Sequence, residues 1–348
     1  MRRKKKRAIK RLIRVVILVA VFFGIMKLGN TLSFSGLSDL KSIFSNVISL
    51  ATSTADQEVD NLKKLVEEYV SSSEGSDAVA DSITPTGTST FSYSGADNKE
   101  AIIDGVTATH GVVVTERLEG LEIPAYINGH PVVQKLGYAL SYNLEYVQPD
   151  WVAYTLDLEE LNTTTTSRSD DFYEELDVIP TSAKLSDYRG SGYDRGHLLS
   201  SANRTSSEGL NESTFSLLNM SPQIHRFNAG LFLKAEDAER DAARQYGELY
   251  IVTGPVFSEN METIGESEVA VPEEFYKVFL GQNADGEWHA VGLILPQEYE
   301  NGNLKPYFVT VDEVEKATGV DFYPSLPDSI ENKVEAEYDL AYWPKSFR

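Results

Sequence analysis

Beyond residue 99 the chain alternates short runs of β-branched and aromatic residues with turn-forming Gly, Pro and Asn. Leu121–Tyr126, Ala139–Tyr142, Trp151–Leu156, Glu248–Thr253, Phe275–Leu280, His289–Leu295 and Tyr307–Val311 read as strands. Helical signals are fewer: about 228–246, ending at Gly247, and about 311–318, before Gly319. Strands in series with few helices between them predict an α+β domain over residues 99–348, built on a central, mostly antiparallel or mixed sheet.

The first 98 residues are patterned differently. Nine Lys/Arg and no acid fall within residues 1–14, followed by an uninterrupted apolar run of twelve from Val15 to Met26. That run is shorter than the ~20 residues that span a bilayer, and stretching it to Leu12–Leu28 places Arg14 and Lys27 near its ends, where they could snorkel. No small-x-small cleavage site follows Met26, which favours an uncleaved signal anchor over residues 1–30 above a cleaved secretory signal. The basic flank then places the body outside the cell membrane as a single-pass protein, or secreted if the signal is cleaved. Leu37, Leu40, Phe44 and Val47, then Val59, Leu62, Val66 and Tyr69, recur at three-four spacing and predict two amphipathic stalk helices that could pair or form a homodimer. From Ser71 to about Asn98 the chain is Ser/Thr/Gly/Asp-rich and reads as a flexible linker, so residues 31–98 are stalk and linker.

Charge narrows the function. The formal net charge of -22 conceals the basic leader: the other residues hold 22 Lys/Arg against 53 Asp/Glu. A body this acidic argues against broad adhesion to nucleic acid, so any phosphate site must be local or assisted by a divalent cation. The absence of cysteine removes disulfides, thiolate nucleophiles and Cys-ligated zinc.

The chemistry concentrates between Tyr193 and Arg240. Here stand Tyr193-Asp194-Arg195-Gly196-His197, then Leu218-Asn219-Met220-Ser221-Pro222-Gln223, then Phe227-Asn228-Ala229-Gly230. Phosphodiester hydrolysis needs an activated water, charge compensation at the phosphoryl oxygens and a proton for the leaving oxygen. An imidazole with an unperturbed pKa of ~6.5 suits the first task, and a divalent metal suits the others. Mg²⁺ keeps several waters, so one neutral amide oxygen such as that of Asn228 could suffice. Glu236 and Arg240 lie at i and i+4 on the following helix, a spacing equally consistent with a solvated salt bridge. A turn in which Asp194 pairs with Arg195 would likewise account for the first motif structurally.

These motifs, in this order, together with Ala235-Glu236-Asp237-Ala238-Glu239-Arg240, resemble the DNA/RNA non-specific endonuclease family, the ββα-metal or His-Me finger nucleases. The resemblance extends from about Gly111 to Trp343 and is firmest over 190–257. It implies a ββα-metal nuclease core in which His197 is the general base and Asn228 ligates Mg²⁺ or Mn²⁺. Asn219 would support the site, Arg195 and Arg240 would hold the phosphate, and Glu236 would position metal-bound water. Phe232 stands where family members often have Trp. His225 reads either as a loop residue or as a second titrating group near the metal. His110, His130 and His289 lack acidic or histidine partners at ligand spacing and read as structural.

The expectation is therefore a membrane-anchored, metal-dependent nuclease acting on DNA, RNA or both. The alternative is a non-catalytic surface module that binds nucleic acid for DNA uptake; the intact His197 and Asn228 speak against it. A serine esterase ranks last, since the chain has no Gly-x-Ser-x-Gly elbow.

Overall fold

The computed structural model describes residues 110–114, 116–298 and 303–348. The anchor expected at 1–30 and the stalk and linker expected at 31–98, with the homodimer they could form, lie outside the described residues. Among the described residues no helix is long and apolar enough to cross a membrane.

Eight strands form one sheet: β1 (Val112–Val114), β2 (Val132–Lys135), β3 (Tyr138–Asn143), β4 (Gln148–Asp157), then β7 (Glu248–Val256), β10 (Glu274–Gln282), β11 (Trp288–Pro296) and β12 (Phe308–Val309), in that spatial order. Each pairing in it is antiparallel. Two small antiparallel pairs lie outside it: β5 (Asp194–His197) with β6 (Met220–Gln223), and β8 (Thr263–Ile264) with β9 (Val269–Ala270).

Both faces of the large sheet are covered, which is why its central strands read as nearly continuous apolar runs. Alternation assigns each residue to one face. Val152, Tyr154 and Leu156 of β4 pack with Ile251 of β7 and Phe275 and Phe279 of β10, beneath helix α1 (Leu233–Tyr246). The inward stripe of α1 is Ala235, Ala238, Ala242 and Ala243, small side chains that let the helix lie close to the strands. On the opposite face, Trp151, Ala153, Val252, Tyr276 and Val278 meet Val311 and Val314 of α2 (Val311–Thr318) and Val334 of α3 (Asp328–Ala336).

Five of the seven expected strands form, within the limits of β3, β4, β7, β10 and β11. Leu121–Tyr126 is irregular instead: Pro124 has no amide hydrogen, and the Ala125 amide donates to the Asp321 carbonyl rather than to a strand neighbour. Tyr307–Val311 contributes only the short β12, because Thr310 caps α2 through a reciprocal pair with Glu313 and turns the chain into helix. The helix expected over 228–246 begins as a π-turn at Asn228–Phe232 and becomes α-helical at Leu233.

Candidate active site

Strand β5 places Asp194, Arg195 and His197 on a short ribbon, and its glycine is dictated by contact. A Cβ on Gly196 would come within 2.3 Å of the Gln223 side chain, which is buried beneath it on β6. The ribbon leads directly into the π-turn that carries Asn228. Such turns displace one backbone register and often occur at functional sites.

Asp194 and Asn228 are joined: Asn228 Nδ2 donates to Asp194 Oδ2 at 2.9 Å. With its amide nitrogen on Asp194, Asn228 keeps Oδ1 as its acceptor, and the residue lines the same groove as Arg195. His225 Nδ1 lies 2.8 Å from the same Asp194 oxygen. His225 therefore belongs to the periphery of the site, exposed and in contact with the carboxylate that orients Asn228. Asp194 does not pair with Arg195, because neighbouring residues of a strand point to opposite sides.

The Arg195 guanidinium lies 4.0 Å over the Phe172 ring, and among the described residues no carboxylate forms an ion pair with it. Together with Arg168, Arg189, Asp194 and Asn228 it lines an open groove of about 550 Å³. Phe172 also lines the groove, and His197 stands behind it, its ring 5.5 Å from Phe172 and 4.9 Å edge-on from Phe215. Burial pulls His197 down to about 3, reinforced by the positive charges of Arg168 and Arg195. The imidazole is therefore neutral at physiological pH, and its Nε2 has no protein partner.

Asn219 supports this geometry without facing the groove. Fully buried, it accepts from the Leu199 amide at 2.9 Å and donates to the carbonyls of Leu199 and Thr214. It thereby fixes the chain two residues after His197. Helix α1 is tied to the same segment: Ser200 Oγ donates to Glu236 at 3.0 Å, and Asn203 Nδ2 donates to Glu239. Arg240 Nη1 donates to Asn203 Oδ1 at 2.8 Å, and its other terminal nitrogen meets Asp237. Glu236 and Arg240 thus share a helix face without forming the i,i+4 bridge that was the alternative to a role in the site. Burial raises the Glu236 carboxyl to about 7, against the lowering pull of Lys277.

Several participants carried no assigned role in the sequence. Glu239 is wholly buried, with Lys277 Nζ at 2.8 Å and the Tyr154 hydroxyl at 3.1 Å. Its signal was its place within the alanine stripe of α1, where an acid must find partners. Asp194 was visible within its motif but not its link to Asn228, and Arg168 and Arg189 stand in unpatterned segments. The histidines read as structural find partners far along the chain: His130 meets Asp150 at 2.6 Å, His110 meets Asp177 at 3.3 Å, and His289 stacks on Tyr342.

The arrangement suits a divalent cation held by few protein groups. Asn228 offers an oriented neutral oxygen, Asp194 supplies negative charge behind it, and an unpartnered imidazole nitrogen lies deeper in the wall. Among the described residues, the three-ligand grouping of His, Asp and Glu side chains is elsewhere, at Asp312, Glu315 and Glu335.

Comparison with known proteins points to a nuclease family. Residues 122–329 match the model of the family described as DNA/RNA non-specific endonuclease. A nuclease of Nostoc sp. is 33% identical over 213 residues, covering 58% of this chain and 76% of that protein. Bovine mitochondrial endonuclease G is 32% identical over 205 residues, 55% of this chain and 69% of its own. A solved endonuclease G–inhibitor complex contains a chain that superposes with a TM-score of 0.55 at 29% identity, covering 60% of this chain and 90% of that one.

Proposed function

Given that the chain belongs to the DNA/RNA non-specific endonuclease family, we propose that it hydrolyses phosphodiester bonds of DNA and RNA with little sequence preference, using Mg²⁺ or Mn²⁺. The observation that carries this reading is the Asp194–Asn228 link beside a neutral, unpartnered His197. Asn228 Oδ1 would hold the metal. When bound, the ion supplies positive charge to the scissile phosphate and its leaving oxygen.

The chain's own residues do the rest. Arg195, with Arg168 and Arg189 along the groove, receives the phosphate backbone, and its stacking on Phe172 holds the guanidinium at the wall. Backbone contacts of this kind recognise charge and spacing rather than base identity, consistent with low sequence preference. His197 accepts the proton of the attacking water at Nε2, which has no protein partner. Asn219 keeps that imidazole in place through Leu199, and Glu236 orients water within the site. Arg240 is held in place by Asn203 and Asp237, and since each of its terminal nitrogens carries a second N–H it would still donate to the phosphate.

The reading is tested by incubating the chain with supercoiled plasmid and with structured RNA, in Mg²⁺ and in chelator. Cleavage of both substrates in Mg²⁺ and neither in chelator is expected. Tight binding without cleavage would favour the uptake module instead.

We also propose that residues 1–30 anchor the protein with its catalytic domain outside the membrane, on the basic leader and apolar run of the sequence. Protease added to intact cells should then degrade the C-terminal domain; complete protection would refute this orientation.

A further inference from the structure

On the face of the sheet opposite the groove, α2 and α3 bring several carboxylates together. Oxygens of Asp312 and Glu315 on α2 and Glu335 on α3 all lie within 4.8 Å of one another. That ceiling is no wider than twice the ~2.4 Å Ca²⁺–oxygen bond length, so the three oxygens are close enough to share one cation. Acidic clusters are common on acidic proteins, and proximity alone would carry nothing.

The second observation is Glu335 itself. It is 6% exposed, yet its Oε1 has no hydrogen-bond partner. A buried carboxylate lacking a partner is costly to maintain. Among the described residues, no lysine, arginine or histidine forms an ion pair with Asp312, Glu315, Asp321, Glu331 or Glu335. Glu315 is already oriented by the Phe322 amide, which donates to its Oε1 at 2.8 Å and joins the loop after α2 to the cluster. Burial and then the charges of Glu315, Glu331, Asp321 and Asp312 push the Glu335 carboxyl up to about 8.

We propose that Asp312, Glu315 and Glu335 form a calcium-class cation site, separate from the nuclease groove, that clamps α2 to α3. The donors are all hard oxygens, which exclude the soft thiolate-seeking metals. Three carboxylates also exceed what Mg²⁺ ordinarily takes from protein, so Ca²⁺ is preferred. Asp312 is exposed and leaves an entry path, with water to complete the shell. Ca²⁺ would satisfy the unpartnered Glu335 oxygen and cancel the repulsion between the helices. The site's role is structural: it stabilises the layer that covers the sheet, and catalysis does not pass through it.

The test is thermal unfolding of the full chain in mild detergent, in chelator, in CaCl₂ and in MgCl₂, for wild type, Glu335→Gln and Asp312→Asn. At calcium a hundredfold above its Kd the wild type should melt roughly 5 °C or more higher than in chelator, and Mg²⁺ should do less. At pH 9, where the Glu335 carboxyl is ionised, Glu335→Gln in chelator should be at least as stable as wild type, because the substitution removes an unpartnered charge. In calcium the order should invert. Asp312→Asn, at an exposed position that leaves folding intact, should lose most of the calcium-dependent rise. Both variants should cleave plasmid at the wild-type rate in saturating Mg²⁺. An equal calcium response in wild type and both variants would assign the ion to the groove and overturn the proposal. No response in wild type would overturn it as well, leaving Glu335 simply protonated.

Discussion

Asp194→Asn isolates the carboxylate that orients the Asn228 side chain. Asp194 accepts from Asn228 Nδ2 at 2.9 Å and contacts His225 Nδ1 at 2.8 Å, so the substitution removes a charged acceptor without changing side-chain size. Hydrogen bonds to charged groups are worth ~1.5–3 kcal/mol, and the carboxylate is 34% exposed, which places the loss near the lower end. At about 1.4 kcal/mol per tenfold, metal affinity should fall roughly 10- to 30-fold, within the range typical of groups that orient a metal ligand. The assay is the initial rate of plasmid nicking against Mg²⁺ concentration. The half-saturating concentration should rise by that factor, while the rate at saturating Mg²⁺ stays within about threefold of wild type. His225→Ala removes the exposed second partner and should shift half-saturation less than about threefold. An unchanged Mg²⁺ dependence in folded Asp194→Asn, or an equal loss of rate at every Mg²⁺ concentration, would refute the role given to Asp194.

Gly196→Ala should destabilise the chain and abolish cleavage together, because its Cβ would approach the Gln223 side chain to 2.3 Å; a wild-type melting temperature would contradict the packing of β5 on β6. Since His197 falls to about 3 in the folded chain against ~6.5 unfolded, the unfolded state binds more protons between these values, and stability should decline as pH drops from about 6.5 towards 3. Denaturant titration of His197→Gln across this window should show a shallower decline; identical slopes would count against the buried neutral imidazole. For Glu236 the sign is opposite: with a folded value of about 7 above ~4.5 unfolded, its contribution is complete below about 4.5 and is lost as pH rises through 7. Glu236→Gln in chelator should therefore match wild type at pH 4 and exceed it by ~2–3 kcal/mol at pH 8, and equal stability at pH 8 would contradict the assignment.

What could be read from the sequence depended on the range of the interaction. Strands such as Trp151–Leu156 and Phe275–Leu280 were legible because burial on both faces of the sheet leaves dense β-branched and aromatic runs. Helix α2 was legible from Gly319, whose left-handed backbone ends it. Leu121–Tyr126 misled, because its apolar residues pack against the sheet without joining it. Helix α3 escaped notice: Ile330 and Val334 are too few to mark a helical stripe among charges. At the site, His197, Asn219 and Asn228 were found because their motifs are local. The partners that give the site its properties come from far along the chain, as Asn228 reaches Asp194 across 34 residues and Ser200 reaches Glu236 across 36, and no spacing announces such contacts. Glu236 and Arg240 show the limit of helical spacing: it put both residues on one face, where a mutual bridge was the alternative reading, while Ser200 and Asn203 from outside the helix take Glu236 and Arg240 instead.

The central claim is that His197 takes a proton from water during phosphodiester cleavage. It is tested most directly by the plasmid-nicking rate of His197→Ala beside wild type, at saturating Mg²⁺ and with folding verified by thermal unfolding. A fall of roughly 10²- to 10⁴-fold is expected, with binding of the uncleaved plasmid retained. Full cleavage by the folded His197→Ala chain would contradict the account.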